Sequence, residues 1–278
     1  MTTAAPLSGT SRLAEKRRHA LGWAVLLPYF NEEKYLPRSL RSLCAQTCLP
    51  AQVILVDNGS SDNSTAIARA IMADFPAIKT HFIHVPAPGK IHALHDGLKT
   101  VRTPLVATCD ADTWYPPDYL AKAESLFAAH PDAASVMAID IYNAPHTLTA
   151  RLKRVKTRLV AQLLARQCHT GGFGQMFRTG ALRRCGGFDA RRWPFVLEDH
   201  EIVHRLLKAG PSLYHQDLWC MPSARRNNSA RISWQLPERV LYHLTPWSLK
   251  DWFFYRFLAN RLRKRRLDNM ALRERNWA

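Results

Sequence analysis

The chain has 278 residues, 47% of them hydrophobic, and a formal net charge of +17. This length can bury a large core, in one large domain or two small ones. No window approaches the roughly 18 uncharged apolar residues of a membrane span. The six cysteines form no CxxC pair and no disulfide framework, which favours the reducing cytosol. The basic excess indicates an anionic partner: nucleic acid, a membrane surface or anionic substrates.

The first 22 residues are small and polar and then basic, without the apolar run of a secretory signal. We expect residues 1–22 to form a flexible basic leader. The next part of the chain, 23–216, is predicted to be the catalytic domain. Residues 217–278, rich in aromatic and basic side chains, are predicted to form a helical C-terminal extension on the acceptor side.

Apolar and amphipathic segments alternate along the first half of the chain. Strands are predicted over 23–30, 52–56 and 81–85, and a fourth begins at 105. Between them, helices are predicted over 34–46, in a segment that ends near 75, and over 91–101. The strands are apolar almost throughout, which is typical of a mainly parallel sheet with helices on both faces. The fold class is therefore predicted as α/β.

The second half of the chain continues this pattern with shorter elements. Helices are predicted up to 130, over 151–166 and 179–184 and from 197, and strands over 135–142 and 212–216. The helix over 151–166 is amphipathic, with leucines and a valine on one side and Lys and Arg on its other faces.

Three predicted strands end in polar residues: Asn31 and Glu32, Asp57 and Asn58, and Asp110 and Asp112. The carboxyl ends of parallel strands lie at one edge of a sheet, where α/β proteins bind ligands. Three such ends favour a site of nucleotide size at that edge.

The last of these pairs, Asp110 and Asp112, follows the apolar strand 105–108. Side chains alternate along a strand, so both carboxylates are expected on one side. Two adjacent carboxylates repel each other unless a cation lies between them, which favours a divalent ion bound to substrate phosphates. An acidic turn that caps the next element is the alternative, and these residues alone do not decide between the two.

Six segments carry a resemblance to a known family: LLPYFNEE (26–33), VILVDNGSSDNS (53–64), GKIHALHDGL (89–98), LVATCDAD (105–112), GGFGQMFR (171–178) and GGFDARRWPFVLEDHEI (186–202). In this order and spacing, the chain resembles glycosyltransferase family 2 over roughly 23–216. The resemblance implies the GT-A fold, a Rossmann-like sheet, and transfer of a sugar with inversion. The Gly-Lys and Asp-Ala-Asp-Thr patterns are most similar to the polysaccharide-synthase branch, whose members usually carry transmembrane helices.

The resemblance implies a nucleotide-sugar donor, most often a UDP-sugar. The backbone near Pro28, together with Glu32, would contact the base and the ribose. Asp57 would accept a hydrogen bond from the uracil ring N–H. Lys90 would neutralise charge on the diphosphate.

The resemblance also implies Mn²⁺ or Mg²⁺ as a cofactor. Asp112 would ligate the metal, and Asp110 would contact the ribose or the metal, with Ala111 between them in the donor site. The metal would stabilise the leaving nucleotide. His215 and His200 are further candidate ligands, with a packed or solvated histidine as the alternative for each.

Asp199 matches the general base of the family. It would take the proton from an acceptor hydroxyl as the oxygen attacks the anomeric carbon from the face opposite the leaving group. Glu198 is expected to orient the reacting groups rather than to abstract the proton of the acceptor. Acidic residues are also favoured in the first turn of a helix, so a purely structural role for both stays open.

Two positions depart from the family pattern. His95 and Asp96 stand where an Asn is common, which puts contacts from that helix in doubt. The Gln-x-x-Arg-Trp signature of processive synthases is missing, and the nearest stretch contains Arg231 and Trp234. These two residues are candidates for the acceptor site, and the departure favours a single transfer over processive synthesis.

Basic charge is concentrated in the helix over 151–166 and in the tail. The tail residues predicted to contact an anionic membrane are Trp252, Phe253, Phe254, Arg263, Lys264, Arg265 and Arg266. Alternatively, the aromatic rings pack on the catalytic domain and the charges face water. No motif for binding nucleic acid accompanies the charge, so none is expected as a partner.

Together these observations predict an inverting, metal-dependent hexosyl- or N-acetylhexosaminyltransferase. The expected acceptor hydroxyl is on a membrane lipid or lipid-linked glycan, and the expected location is the cytoplasm, peripheral on the inner face of the membrane. The alternatives are a soluble glycan or protein acceptor, a sugar-nucleotide pyrophosphorylase, and a non-catalytic binding module.

Overall fold

The computed structural model describes residues 22–142, 145–223 and 234–268. Of the predicted leader, only Gly22 lies within these ranges. The strands are β1 Trp23–Tyr29, β2 Gln52–Asp57, β3 Lys79–His84, β4 Leu105–Thr108, β5 Thr113–Trp114, β6 Ser135–Asp140, β7 Gln175–Arg178 and β8 Ser212–Pro222. They form one sheet in the order β3-β2-β1-β4-β7-β6-β8-β5.

The helices surround this sheet. They are α1 Leu36–Cys44, α2 Ser64–Ala73, α3 Lys90–Thr100, α4 Tyr119–Ala129, α5 Leu148–Leu163, α6 Thr179–Arg184, α7 Glu198–Leu206 and α8 Leu236–Leu244. A 3₁₀ turn covers Gly172–Gly174 and another covers Trp247–Leu249. The C-terminal helix that follows has an α-helical start at Lys250–Trp252, a π-helical middle at Phe253–Leu258 and an α-helical end at Ala259–Lys264.

The sheet has a parallel half and a mixed half. Strands β3, β2, β1 and β4 are parallel, whereas β7 is antiparallel to both β4 and β6. The parallel strands are connected by helices, as βαβ crossovers require. The predicted α/β class is confirmed, and the parallel character is confined largely to the first four strands.

Strand β8 is longer than predicted, because it runs to Pro222 rather than to residue 216. Its second part pairs with the end of β6 after an irregularity, and Thr113 and Trp114 then pair with its last residues. The predicted boundary at 216 therefore falls inside a strand of the central sheet.

Two apolar clusters lie on the two faces of the sheet. The first contains Trp23, Leu55 and Phe127, and the second contains Leu26 and Phe177. The C-terminal helix belongs to the second cluster, because its buried residues pack there with side chains from the sheet and from α7.

Two predicted membrane residues, Phe253 and Phe254, are fully buried in this second cluster. The ring centroid of Phe253 lies 5.6 Å from that of Tyr242, and that of Phe254 lies 5.9 Å from that of Trp193. The prediction that these two rings contact a membrane is wrong, since burying them in the core already removes them from water.

The other predicted membrane residues have a different environment. Trp252, Arg263, Lys264 and Arg266 are exposed. Arg265 is partly buried and donates to both carboxylate oxygens of Glu238, at 3.1 and 2.9 Å. The alternative interpretation, packed aromatic rings with charges outside, thus holds for Phe253 and Phe254 and for Arg263, Lys264 and Arg266, but not for the exposed ring of Trp252.

Candidate active site

The carboxyl ends of β2, β1 and β4 lie side by side, because these strands are neighbours in the sheet. Pro28 is buried in β1, in register with Val56 of β2. Beyond the strands, Asn58 N–H donates to the Tyr29 carbonyl at 2.9 Å, and Cys109 N–H donates to the Leu26 carbonyl at 3.0 Å. The sheet therefore brings the three predicted polar ends to one edge.

Glu32 lies just past β1, in a loop fastened to the start of α2. Its backbone N–H donates to Ser64 Oγ at 2.8 Å, and Glu33 N–H donates to Asp62 Oδ2 at 3.1 Å. These bonds position Glu32 beside the end of β2.

The carboxylate of Asp57 is held from two sides at the end of β2. Ser60 N–H donates to Asp57 Oδ1 at 2.7 Å, and His84 Nδ1 lies 3.1 Å from Asp57 Oδ2. Burial opposes the charged form, but the hydrogen bonds from Ser60 and the contact with His84 outweigh it and lower the pKa of Asp57. Asp57 is therefore an ionised carboxylate that can accept a hydrogen bond from an N–H group.

Asn58 holds the loop that leads to Lys90. Its Nδ2 donates to the carbonyls of Val85 and Ala87, at 2.9 and 2.7 Å, and its Oδ1 accepts from Gly89 N–H at 2.9 Å. Both polar atoms of the amide group thus bind the loop, through three hydrogen bonds. Asn58 positions Lys90 at the start of α3, a role that its place in the motif does not reveal.

Asp110 and Asp112 are buried and lie in the turn between β4 and β5, not on a strand. Strand alternation, which predicted both carboxylates on one side, therefore does not apply. Asp110 N–H donates to the Tyr115 hydroxyl, which donates to the Phe173 carbonyl, both at 2.9 Å. Ser223 Oγ donates to Asp112 Oδ2 at 3.0 Å. These contacts fix the turn, and the capped-turn and metal interpretations are compatible.

The carboxylates of Asp110 and Asp112 are hard oxygen ligands that suit Mg²⁺ or Mn²⁺. Among the described residues, no three His, Cys, Asp or Glu side chains cluster so that they could hold a metal ion. A metal here would need substrate oxygens to complete its coordination, so the donor set fits an ion that arrives with a diphosphate.

His215 lies on β8, and its Nδ1 accepts a hydrogen bond from Asp217 N–H at 3.2 Å. No metal-binding group of three that includes His215 exists in the described part of the chain. The prediction of His215 as a third ligand is wrong for this arrangement, because β8 passes the turn at Pro222, near its end, and not at His215.

Lys90 connects the donor side of the site with α7. Its Nζ donates to Asp110 Oδ1 at 2.6 Å and lies 4.0 Å from Glu198 Oε1. A Cβ at Gly172 would lie 3.1 Å from Lys90 Nζ and 3.4 Å from Asp199 Cβ. Gly172 therefore keeps open the narrow space between the predicted phosphate-binding lysine and the predicted base.

Asp199 is held by three hydrogen bonds at the start of α7. Gly172 N–H donates to Oδ2 at 2.9 Å, and Oδ1 contacts both His200 N and His200 Nδ1, at 2.8 and 2.9 Å. Burial opposes ionisation, but His200 and Lys90 lower the pKa of Asp199. Asp199 is thus an ionised carboxylate in a largely buried position.

The neighbouring Glu198 behaves in the opposite way. Burial, only partly offset by Lys90 and reinforced by Asp199, raises the pKa of Glu198 from 4.5 to about 7. Two adjacent carboxyl groups with pKa values pushed apart are a common sign of separate roles in a reaction.

Trp234 contacts His200, which in turn contacts Asp199. The ring centroids of His200 and Trp234 are 5.2 Å apart, and Trp234 lies 5.0 Å from Tyr242. Trp234 is half-buried, so part of its side chain remains accessible to a ligand. The other acceptor candidate, Arg231, lies outside the described residues.

His95, one of the departures from the family pattern, has a structural partner. Its Nδ1 lies 2.6 Å from the Phe188 carbonyl and links α3 to the turn before α7.

Two residues that position the site, Thr108 and Gln175, were not singled out from the sequence. Thr108 Oγ1 donates to the Gly172 carbonyl at 2.9 Å, and Gln175 Nε2 donates to the Asp199 carbonyl at 3.1 Å. Their place in or beside the motifs was the only available signal.

The sequence of this chain matches the model of a known protein family. The model of Glycosyl transferase family 2 matches residues 24–188. The undecaprenyl-phosphate 4-deoxy-4-formamido-L-arabinose transferase of Shewanella sediminis is 29% identical over 150 residues, 51% of this chain and 42% of that protein. The uncharacterized glycosyltransferase YibD of Escherichia coli K12 is 25% identical over 212 residues, 70% of this chain and 54% of YibD. The chain thus spans about half the length of these curated relatives.

Solved structures confirm the fold. The mannosyltransferase PcManGT from Pyrobaculum calidifontis, in complex with GDP-Man and Mn²⁺, matches with a TM-score of 0.64 and 19% identity. The match covers 88% of this chain and 75% of that one. The S. aureus TarS fragment 1–349 in complex with UDP matches with a TM-score of 0.57 and 17% identity, over 85% of this chain and 70% of the other. The predicted GT-A-type sheet is the fold of this chain.

Proposed function

This chain belongs to glycosyl transferase family 2, and we propose that it is an inverting, metal-dependent transferase that uses a nucleotide sugar, expected to be a UDP-sugar. The proposed acceptor is an oxygen of a membrane lipid or a lipid-linked glycan. The proposal rests above all on Lys90, which lies between Asp110 and Glu198 and so joins the donor side to the start of α7.

On the donor side, Asp57 is the proposed acceptor for the base N–H, since its pKa is lowered and it stays ionised. Lys90 is proposed to bind the diphosphate. It would then exchange its contact with Asp110 for contacts with phosphate oxygens. Glu32, Pro28 and the turn at Ala111 complete the proposed donor pocket.

Asp112 and Asp110 would hold the metal ion, with phosphate oxygens of the donor as the remaining ligands. When bound, a divalent ion neutralises the charge that develops on the leaving nucleoside diphosphate. The complex of PcManGT with GDP-Man and Mn²⁺ supports the metal by similarity of fold, and the complex of TarS with UDP supports a nucleotide at this site.

On the acceptor side, Asp199 is the proposed base. An acceptor hydroxyl loses its proton to Asp199 while its oxygen forms a bond to the anomeric carbon. The bond between that carbon and the diphosphate oxygen breaks on the opposite face, which inverts the configuration. Gly172 and His200 fix the carboxylate for this step.

Glu198 has a different proposed role. With a pKa of about 7, it is substantially protonated at neutral pH beside Lys90 and Asp110. A protonated carboxyl group donates a hydrogen bond, so it can orient a sugar hydroxyl or a phosphate oxygen without adding negative charge to the donor site.

The names of several curated relatives, undecaprenyl-phosphate transferases, favour a lipid phosphate as the acceptor. A phosphate oxygen is already ionised at neutral pH and needs no general base. Replacing Asp199 therefore separates the two acceptors: transfer to a hydroxyl is lost, whereas transfer to a lipid phosphate is retained in part.

The proposed location is the inner face of the membrane, to which the net charge of +17 would attract the protein. Among the described residues, no helix combines the length and the apolar composition needed to cross a bilayer. A peripheral attachment would place the site beside a lipid-borne acceptor.

A thermal-shift panel of nucleotide sugars tests the proposal. We expect one UDP-sugar, in the presence of Mn²⁺, to raise the melting temperature, and a chelator to abolish the rise. GDP- and CMP-sugars are the matched controls. If no nucleotide sugar raises the melting temperature with either Mn²⁺ or Mg²⁺, the proposed donor site is refuted.

A further inference from the structure

We propose that α5 and α8 form a docking surface for an anionic lipid bilayer. The proposal gives the peripheral attachment described above a location in the fold. It depends on the proposed function only where it places the acceptor, and vesicle binding itself requires neither donor nor catalysis.

The outer face of α5 is an exposed apolar stripe. Its members are between 45% and 84% exposed and are Leu148, Leu152, Val155, Leu159 and Leu163. At 3.6 residues per turn they fall within about 80° of arc. Ala150 and Ala161, the buried residues of the helix, lie on the opposite side and face β8. A helix on a globular protein normally buries its apolar stripe, whereas α5 turns it outward.

Basic side chains border this stripe. Arg151 and Lys156 are exposed and lie on either side of it, and Arg154 and Arg158 lie further round the helix. The helix contains no Asp or Glu. Leucines on one face with lysines and arginines beside them are typical of a helix that lies in the headgroup region of a membrane.

Helix α8 adds a second stripe. Leu236, Val240 and Leu244 recur every four residues and are between 47% and 75% exposed. The segment just past the C-terminal end of α5 contacts the C-terminal end of α8, since Gln167 Nε2 donates to the His243 carbonyl at 3.2 Å and Gln167 Oε1 lies 2.6 Å from His243 Nδ1. The two stripes therefore approach each other where the helices end.

The meeting point of the two helices also adjoins the proposed base. Tyr242 of α8 accepts a hydrogen bond from Cys168 N–H at 2.7 Å, and its ring centroid lies 5.9 Å from that of His200. His200 in turn contacts Asp199. A bilayer on this surface would therefore present a lipid-borne acceptor close to Asp199.

The charge of the surface selects the bilayer over a second copy of the chain. Two copies that met through α5 would bring like charges together around the apolar stripe, and this repulsion opposes association. An anionic leaflet satisfies both features at once, because each basic residue near it adds attraction while the leucines enter the acyl boundary.

Co-sedimentation with vesicles of phosphatidylglycerol and phosphatidylcholine tests the surface. We expect wild-type protein to bind, and the double variant Leu152→Glu/Leu159→Glu to bind at least about a hundredfold more weakly. Leu49→Glu is the matched control, because Leu49 is also exposed but lies in the loop before β2. Equal binding by the double variant and wild type would overturn the proposal.

Charge is tested separately with Arg151→Gln/Lys156→Gln, which should weaken binding about thirtyfold. Lys79→Gln/Lys99→Gln removes the same charge elsewhere and should have a clearly smaller effect.

A second copy of the chain is the other possible occupant. If wild-type protein forms a dimer that the double leucine variant dissociates, and does not bind vesicles, the surface belongs to a second copy instead. Binding of UDP with Mn²⁺, measured on the same variants, should be unchanged. If wild-type protein also fails to bind UDP with Mn²⁺, the proposed function is refuted. The vesicle experiment then still decides whether the surface binds a bilayer.

Discussion

At the residue scale, the site depends on how burial and neighbouring charges divide the carboxylates. Asp57 and Asp199 have lowered pKa values because hydrogen bonds and nearby cationic groups outweigh their burial, whereas burial dominates at Glu198. The same residue types therefore serve as fixed anions at two positions and as a titrating group at the third. The sequence identifies the carboxyl groups, but it does not show which of them stay ionised and which one titrates near neutral pH.

The raised pKa of Glu198 makes the stability of the free protein depend on pH. Between about 4.5 and 7 the folded state holds a proton that the unfolded chain releases, so stability falls as pH rises through this window. Glu198→Gln removes the buried charge. We expect it to stabilise the protein by about 3 kcal/mol at pH 8, several degrees in melting temperature, and by almost nothing near pH 4.5.

Melting curves of Glu198→Gln and wild type at both pH values measure this difference. Glu33→Gln, in the same buffers, is the control for loss of a more exposed glutamate. A gain that does not change with pH would mean that Glu198 is not the titrating group.

Asp199→Asn should leave UDP binding intact and reduce transfer to a hydroxyl acceptor by about 10²–10⁴-fold, because the amide cannot take the proton. The amide has one oxygen, so it accepts either from Gly172 N–H or from His200, and its NH₂ group faces the other donor. Calorimetric binding of UDP and the initial rate of UDP release measure the two effects. Asp217→Asn, an exposed aspartate on β8, is the control, and undiminished turnover in Asp199→Asn would move the base elsewhere.

At the scale of elements, the close approach of α3 to the sheet positions Lys90. A Cβ at Gly97 would lie 2.3 Å from Leu26 Cδ1 and 2.9 Å from Val56 Cγ2, side chains of β1 and β2. Gly97 thus permits the contact that places the start of α3 beside the ends of those strands. Its position in the motif GKIHALHDGL did not reveal this packing role.

Gly97→Ala should therefore destabilise the protein by about 1–3 kcal/mol, since the added methyl group has no room without a shift of α3. Chemical denaturation measures the change in the free energy of unfolding. Gly180→Ala is the control: this exposed glycine of α6 has only the end of the Arg184 side chain nearby, and alanine is there neutral or slightly stabilising. Equal stability of Gly97→Ala and wild type would show that α3 can move away without loss.

The sequence predicted the alternation of strands and helices well where the apolar period was regular, as at β1, β2 and α1. It also predicted that the polar residues after β1, β2 and β4 lie at one edge, because parallel strands end there. The contact of Lys90 with Asp110 did not follow from the strand pattern, since Lys90 lies at the start of α3. It failed at Asp110 and Asp112, which a turn and not a strand orients, since the end of β4 is set by the Tyr115 hydrogen bonds. The path of β8 past residue 216 depends on pairing with β6 and β5, which no local pattern contains.

At the scale of the whole molecule, the C-terminal helix is part of the core. Phe253, Phe254, Leu258 and Leu262 are fully buried there, although their sequence neighbourhood is typical of a membrane-surface helix. Aromatic residues beside Lys and Arg suit both a bilayer and a protein core with a charged outer face. Only the packing against Trp193 and Tyr242 distinguishes the two.

Deletion of residues 247–278 should consequently abolish cooperative unfolding rather than merely release the protein from vesicles. Loss of several fully buried aromatic and leucine side chains exceeds the net stability of an ordinary domain. Circular dichroism during heating measures the transition. A deletion variant that keeps a sharp transition and the wild-type melting temperature would show that the second apolar cluster is stable without this helix.

The central claim is that this edge of the sheet binds a nucleotide sugar together with a divalent ion, and calorimetry with Asp112→Asn tests it directly. The substitution removes the negative charge of the proposed ligand but keeps an oxygen that can accept from Ser223. Asp118→Asn is the control, because Asp118 lies near the surface and pairs with Lys122, away from the proposed site. We predict Mn²⁺-dependent UDP binding in wild type and Asp118→Asn and none in Asp112→Asn; unchanged UDP binding by Asp112→Asn in Mn²⁺ would show that Asp112 does not hold the ion.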